Sequence, residues 1–115
     1  MGKQVKVTII LPCADNDGKA FSAFEQLATV KRLTEVVDGA TLSAAAYGWY
    51  TSKDGKKIGE DVQPIVIICD ESKVDELRQY CKTTCKILRQ ECIYFEVQTD
   101  GFTVDFVTAE PDCAE

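Results

Sequence analysis

Tyr47-Gly48-Trp49-Tyr50-Thr51-Ser52-Lys53-Asp54-Gly55-Lys56-Lys57-Ile58-Gly59-Glu60 sets an aromatic-rich strand against a lysine-bearing return. Asp54-Gly55 is a hairpin signal, because glycine enters the backbone region that tight turns need without steric cost. Small residues and aromatics alternate loosely from Ala40 to Ser52, with Leu42, Ala44 and Ala46 on one side and Tyr47 and Trp49 on the other. The run Ala44-Ala45-Ala46 fits a helix as well, but Gly48, the aromatic neighbours and the turn favour a strand.

On the far side of the hairpin, Val62 to Cys69 reads as the next strand. Its centre, Ile65-Val66-Ile67-Ile68, has no polar alternation, as expected of a central strand covered on both faces or at a subunit contact. A helix over about 72–90 follows. Ser72-Lys73-Val74-Asp75 resembles a capping box, and Val74, Leu77, Tyr80 or Cys81, Thr84 or Cys85, and Leu88 recur at helical spacing. Cys92 to Gln98 alternates again, with Ile93, Phe95 and Val97 on one side, and Phe102 to Val107 forms a further strand after the turn Thr99-Asp100-Gly101.

Toward the N-terminus, Val5, Val7 and Ile9 alternate before the apolar Ile10-Leu11, which reads as a first strand. Asp15-Asn16-Asp17-Gly18 supplies a turn and helix caps, so a helix is expected from about Lys19 to Glu35. Phe21, Phe24, Leu27 and Ala28 make a stripe that should face a sheet. The order is β-α-β-β-α-β with an extra C-terminal strand. The expected class is α+β, with two helices on one face of a mainly antiparallel sheet, the split β-α-β plan of ferredoxin-like domains. Residues 1–109 are expected to form that single domain and 110–115 a flexible acidic tail.

Two resemblances attach to these features. The segment 40–97, with Trp49, Asp54-Gly55 and Glu60 leading into an apolar strand and a capped helix before Gln90-Glu91, resembles a family of small bacterial proteins of unknown function. The strand order, with a loop between its second and third strands, is similar to the PII signalling proteins and their PII-like relatives, including the CutA group. The second likeness is one of architecture, and the loop is much shorter than a PII regulatory loop. No PII nucleotide-binding residue is therefore carried over.

A length of 115 residues suits one core. The net charge of −6 argues against a general nucleic-acid binder, whose affinity depends on clustered Lys and Arg. The run 62–69, broken by Gln63 and Pro64, is too short to span a bilayer, and no secretory signal is expected near Val5 to Leu11. A cytoplasmic protein is the expectation. The six cysteines include no Cys-x-x-Cys pair, and there is no histidine, so no metal site and no cofactor are expected. Cys81 and Cys85 share a helix face, where they either pack as small apolar residues or offer two thiolates; core packing is the usual habit of free cysteine. Cys113, in the tail, is the thiol expected to be exposed.

No catalytic constellation is legible. Glu60, Asp61, Asp70, Glu71 and Glu96 are the acids nearest the elements of interest, and Asp70-Glu71 is accounted for by a favourable position before a helix. Tyr47, Trp49 and Tyr50 offer faces for a flat ligand, and Lys53, Lys56 and Lys57 neutralise phosphate or carboxylate. The function expected is non-enzymatic sensing or binding of a small anionic molecule, nucleotide-like ligands included, by a homo-oligomer, dimer or trimer. The open sheet face is expected to carry Tyr47, Trp49, Tyr94 and Phe102 or Phe106 into that assembly. The alternatives are a small enzyme using a carboxylate or tyrosine in an intersubunit cleft, and a protein-interaction scaffold.

Overall fold

The computed structural model describes residues 2–15, 17–90 and 93–104. Its elements run β1 (Gln4–Pro12), α1 (Ala23–Thr34), β2 (Thr41–Leu42), β3 (Ala46–Thr51), β4 (Lys57–Asp70), α2 (Val74–Ile87) and β5 (Tyr94–Gln98). One five-stranded sheet results, ordered β2-β4-β1-β5, with β3 pairing the outer half of β4. Every one of these pairings is antiparallel. This is the α+β ferredoxin-like arrangement read from the sequence.

Alternation along the strands decides where the core sits. Val5, Val7, Ile9 and Leu11 of β1 pack with Ile65, Ile67 and Cys69 of β4 beneath Leu33 and Val37 and beneath Leu77, Tyr80 and Cys81 of α2. Phe95 and Val97 of β5 join from the edge, as does Ile93. The intervening residues of β4, Pro64, Val66 and Ile68, are half-buried on the opposite face. The central strand is therefore covered by helices on one side only.

Several expected boundaries shift for local reasons. Asp15 closes a tight loop instead of capping a helix, its Oδ1 accepting from the amides of Asp17 and Lys19, each at 2.9 Å. The cap of α1 is Ser22, which accepts from the Glu25 amide at 3.1 Å while Glu25 accepts in return from the Ser22 amide at 2.9 Å. At the second helix the cap is Asp70, not Ser72: its carboxylate accepts from the Ser72 amide at 2.9 Å and starts a short turn, Glu71–Lys73, ahead of α2. The Ser72 amide first, then the Ser72 hydroxyl and the Gly2 amide, hold the Asp70 carboxyl below its ordinary value.

The stripe of α1 is corrected more deeply. Phe21 is buried, but Phe24 and Leu27 are 80% and 68% exposed, and the buried residues of the helix are Thr29 and Leu33. The C-terminal half of α1 is tied to α2, where the Tyr80 hydroxyl donates to the Thr29 carbonyl at 2.9 Å and Arg32 donates to Thr84 Oγ1 at 3.0 Å. These bonds fix the rotation of α1 about its axis, and the Phe24–Leu27 face is left outside the core.

The single second strand expected over 40–52 is two strands. Thr41↔Val66 and Leu42↔Ile65 give way to Ala46↔Val62, so Ser43, Ala44 and Ala45 stand against Gln63 and Pro64, a bulge of one residue. Pro64 has no N–H for the ladder, which favours the irregularity at this point. The Gln63 side-chain amide donates across it to the Ser43 carbonyl. After Gln98, Phe102–Val104 lie outside any strand, and positions 105–107 of the expected extra strand are outside the described residues, as are Cys92, Phe106, Cys113 and the tail 110–115. Among the described residues, no helix is long and apolar enough to cross a membrane.

Candidate functional site

The hairpin of β3 and β4 projects beyond the helices. Residues Lys57 to Asp61 pair with β3 alone, while β1 joins β4 only from Val62 onward, which leaves about 15 Å of two-stranded ribbon. The molecule is accordingly elongated, 57 × 27 × 24 Å. The tip is a loop of Lys53, Asp54 and Gly55, closed by Ser52 N–H to the Lys56 carbonyl at 2.8 Å, with Gly55 at φ 85°. A glycine in the left-handed region at the end of such a loop is what lets the chain turn back. The Ser52 hydroxyl donates to the Asp54 carboxylate and holds that carboxyl below its ordinary value.

Pairing register and alternation divide the expected site residues between two faces. Tyr47, Trp49 and Thr51 share one face with Lys57, Gly59 and Asp61; Gly48 and Tyr50 share the other with Ile58, Glu60 and Val62. Lys53 and Lys56 stand exposed at the tip. The structure therefore brings together Tyr47, Trp49 and Lys57 and sets Tyr50 apart from them. The face of Tyr47 and Trp49 is continuous with the helix-covered side of the sheet, through Gln63 and Ile65. Tyr94 lies on the opposite, open side, so the expected grouping of Tyr47 and Trp49 with Tyr94 does not form.

Tyr47 and Trp49 are 70% and 67% exposed, yet their faces are organised. Gly59 lies directly opposite Trp49, and the phenol of Tyr47 crosses it, occupying the space a Cβ would need. The ammonium of Lys57 stands 5.2 Å from the Trp49 ring centroid and donates to Thr51 Oγ1 at 2.8 Å. Lys57 is thus engaged within the hairpin, and Asp61, opposite Tyr47, is the other charge that the register assigns to this face.

At the root of the ribbon a recess of about 320 Å³ opens on the same side of the sheet. Leu11, Cys13, Phe21, Leu27, Leu42 and Gln63 contribute to its walls. Burial pushes the Cys13 thiol up, with Asp61 and Glu60 adding to the shift. Sequence reading did not find this recess. Its one signal was Gln63, a polar residue inside an apolar run, together with the Phe21–Leu27 spacing that was assigned to the core. Cys81 is buried and its thiol is pushed up to about 12 by burial first and by Cys85 second, so it packs as an apolar residue. Among the described residues, no group of three or more His, Cys, Asp or Glu is placed to hold a metal.

No family model matches the chain, and no curated protein matches it. Solved structures do. A phage SAM lyase in complex with S-methyl-5'-thioadenosine is similar over 96% of this chain and 93% of its own, at 21% identity and a TM-score of 0.68. The fold is that of the CutA proteins. CutA1 from Shewanella sp. SIB1 covers 90% of this chain and 86% of its own at 13% identity and a TM-score of 0.66. The periplasmic divalent cation tolerance protein CutA from Archaeoglobus fulgidus covers 93% and 89% at 15% identity and a TM-score of 0.57. The CutA-type fold thus accommodates proteins described by quite different activities, so function has to be argued from the hairpin and its recess.

Proposed function

We propose that the protein is a homo-oligomeric binder of a nucleoside-type small molecule, that the ligand is S-adenosylmethionine, and that the protein cleaves the bond from sulfur to the aminobutanoate chain: the chain's own carboxylate oxygen bonds to that carbon and closes a lactone, the electron pair stays on sulfur, and S-methyl-5'-thioadenosine leaves. The observation that carries this reading is the aromatic face of the hairpin running into an apolar recess at its root. Adenine stacks on aromatic rings, and a sulfonium is a cation suited to the face of a tryptophan. The recess offers an apolar wall with Gln63 as a polar group for orientation, the usual make-up of a small-ligand site. A neighbour of nearly the same length that is a lyase for this sulfonium compound supports the same choice.

This reading gives the enzyme alternative more weight than the non-enzymatic sensor expected from sequence. Tyr47 and Trp49 hold the ligand, and Asp61 places a carboxylate on the same face, where it favours positive charge. The ribbon is a two-stranded element with both faces uncovered in a single chain, a marginal construction in water, and a second copy of the chain completes the cleft.

Incubation of the purified protein with S-adenosylmethionine, followed by chromatography, tests the proposal. Release of S-methyl-5'-thioadenosine well above the rate in buffer, reduced by Trp49→Ala, is the expected result. No release together with no measurable binding overturns it. Binding without release returns the protein to the non-enzymatic reading.

A further inference from the structure

We infer that the ring face of Trp49 is a cation site, filled in the free protein by the ammonium of Lys57, and that a sulfonium or quaternary ammonium ligand occupies it by displacing that lysine. The inference rests on the proposed binding of S-adenosylmethionine for its biological ligand, but its geometry is independent of that reading.

Lys57 and Trp49 are on the same face of the ribbon, on neighbouring strands, with Nζ 5.2 Å from the ring centroid. That is inside the distance at which a cation is held by the negative face of an indole. The same ammonium is steadied by Thr51 Oγ1 at 2.8 Å, so it has a second partner that keeps it over the ring. Both groups are exposed, so the arrangement is weakly held and open to exchange. With Lys57 in place, the face carries one positive and one negative side chain, Lys57 and Asp61. Once Lys57 swings into solvent, Asp61 is the charge that remains beside the two rings, and the face favours a cation. Gly59 strengthens the case, because the missing side chain opposite Trp49 lets the phenol of Tyr47 lie across the ribbon on the same face.

A lysine that serves an anionic ligand and a lysine that competes with a cationic one respond oppositely to removal. Exposed cation–π contacts are weak, so removing the internal competitor tightens a cationic ligand by about two- to fivefold. Lys57→Met keeps the length and apolar stem while deleting the charge. Lys57→Arg keeps a cation with a planar head that stacks on the ring at least as well.

The experiment is binding to the full chain and to both variants of S-adenosylmethionine, read on rapid mixing before turnover, and of S-methyl-5'-thioadenosine at equilibrium. Trp49, the single tryptophan, serves as the fluorescent reporter. The expected result is that Lys57→Met binds S-adenosylmethionine about two- to fivefold more tightly. Lys57→Arg is expected to bind it no more tightly than the parent, and the neutral thioether to be indifferent to either change. Equal affinity of Lys57→Met and parent for S-adenosylmethionine overturns the inference, and so does weaker binding of both compounds by Lys57→Met, which makes Lys57 a direct ligand partner. If the parent binds no S-adenosylmethionine, the proposed function falls and trimethylsulfonium chloride decides the inference. A Trp49 response larger in Lys57→Met than in the parent, measured against equal sodium chloride, sustains it; no difference overturns it.

Discussion

The phenol ring of Tyr47 lies across Gly59, so close that a methyl group built there would meet the ring's Cζ at 2.5 Å. This contact explains why a glycine sits in the middle of a strand, where it otherwise weakens pairing. It also holds the Tyr47 ring down on the ribbon, on the face it shares with Trp49.

Gly59→Ala is therefore expected to lift the Tyr47 ring without unfolding the protein, since the group in the way is the far end of an exposed side chain. Stability should change by about 1 kcal/mol or less, while ligand affinity falls. A double-mutant cycle with Tyr47→Ala, read by urea unfolding, checks the cause. Equal effects of Gly59→Ala with and without Tyr47 show that the ring contact is not responsible.

Tyr80 ties the helices together through its hydrogen bond to the Thr29 carbonyl, and burial pushes its phenol up to about 12. Tyr80→Phe should cost about 1 kcal/mol in chemical denaturation near neutral pH. The Tyr80 phenol and the Cys81 thiol, the latter also at about 12, are held neutral in the fold. The unfolded chain releases those protons from their ordinary values of 10.0 and 9.0. The folded state then holds more protons than the unfolded one as pH rises. Their contribution is complete below about pH 9 and is lost by about pH 12, so stability declines through that window. Denaturant melts at several alkaline pH values should show the decline, and a double variant, Tyr80→Phe with Cys81→Ala, should flatten it. An unchanged slope in that variant refutes the assignment.

Leu77 is wholly buried against the strands of the sheet. Leu77→Ala should destabilise by about 2–5 kcal/mol, the range for a core leucine whose surroundings relax only partly. Thermal and urea unfolding measure this directly, and a cost near zero places the helix elsewhere than on the sheet.

Trp49→Ala and Tyr94→Ala report on different surfaces, because their side chains occupy opposite sides of the sheet. If the assembly closes over the hairpin, Trp49→Ala lowers the solution mass and Tyr94→Ala leaves it alone. Light scattering on a sizing column gives the answer. The reverse pattern puts the subunit contact on the open sheet face and removes the hairpin cleft from the account.

The fold was legible where pattern and packing agree. The alternating Val5, Val7 and Ile9, the apolar Ile65 to Ile68 and the helical spacing of Val74 to Leu88 each state their element, because the buried face of each is set by a period of its own. What escaped depends on contacts distant in sequence. The rotation of α1 is fixed by Tyr80 and Thr84, so the Phe24–Leu27 stripe looked like core and is surface. The bulge at Ser43 to Ala45 depends on Pro64, twenty residues on, and no local signal marks it. At the candidate site, Tyr47, Trp49 and Lys57 were singled out by residue type alone, and the strand register puts them on one face. The separation of Tyr50 from them needed the strand register, the recess beside Gln63 needed the placement of α1, and the pairing of Lys57 with Trp49 needed both strands in place.

Native mass spectrometry of the protein mixed with S-adenosylmethionine decides whether an oligomer binds and cleaves it, since it reports subunit number and bound mass together. The expected result is an oligomer carrying a nucleoside-sized adduct, with the mass of S-methyl-5'-thioadenosine growing at the expense of S-adenosylmethionine. A bare monomer, unchanged by the addition, contradicts it.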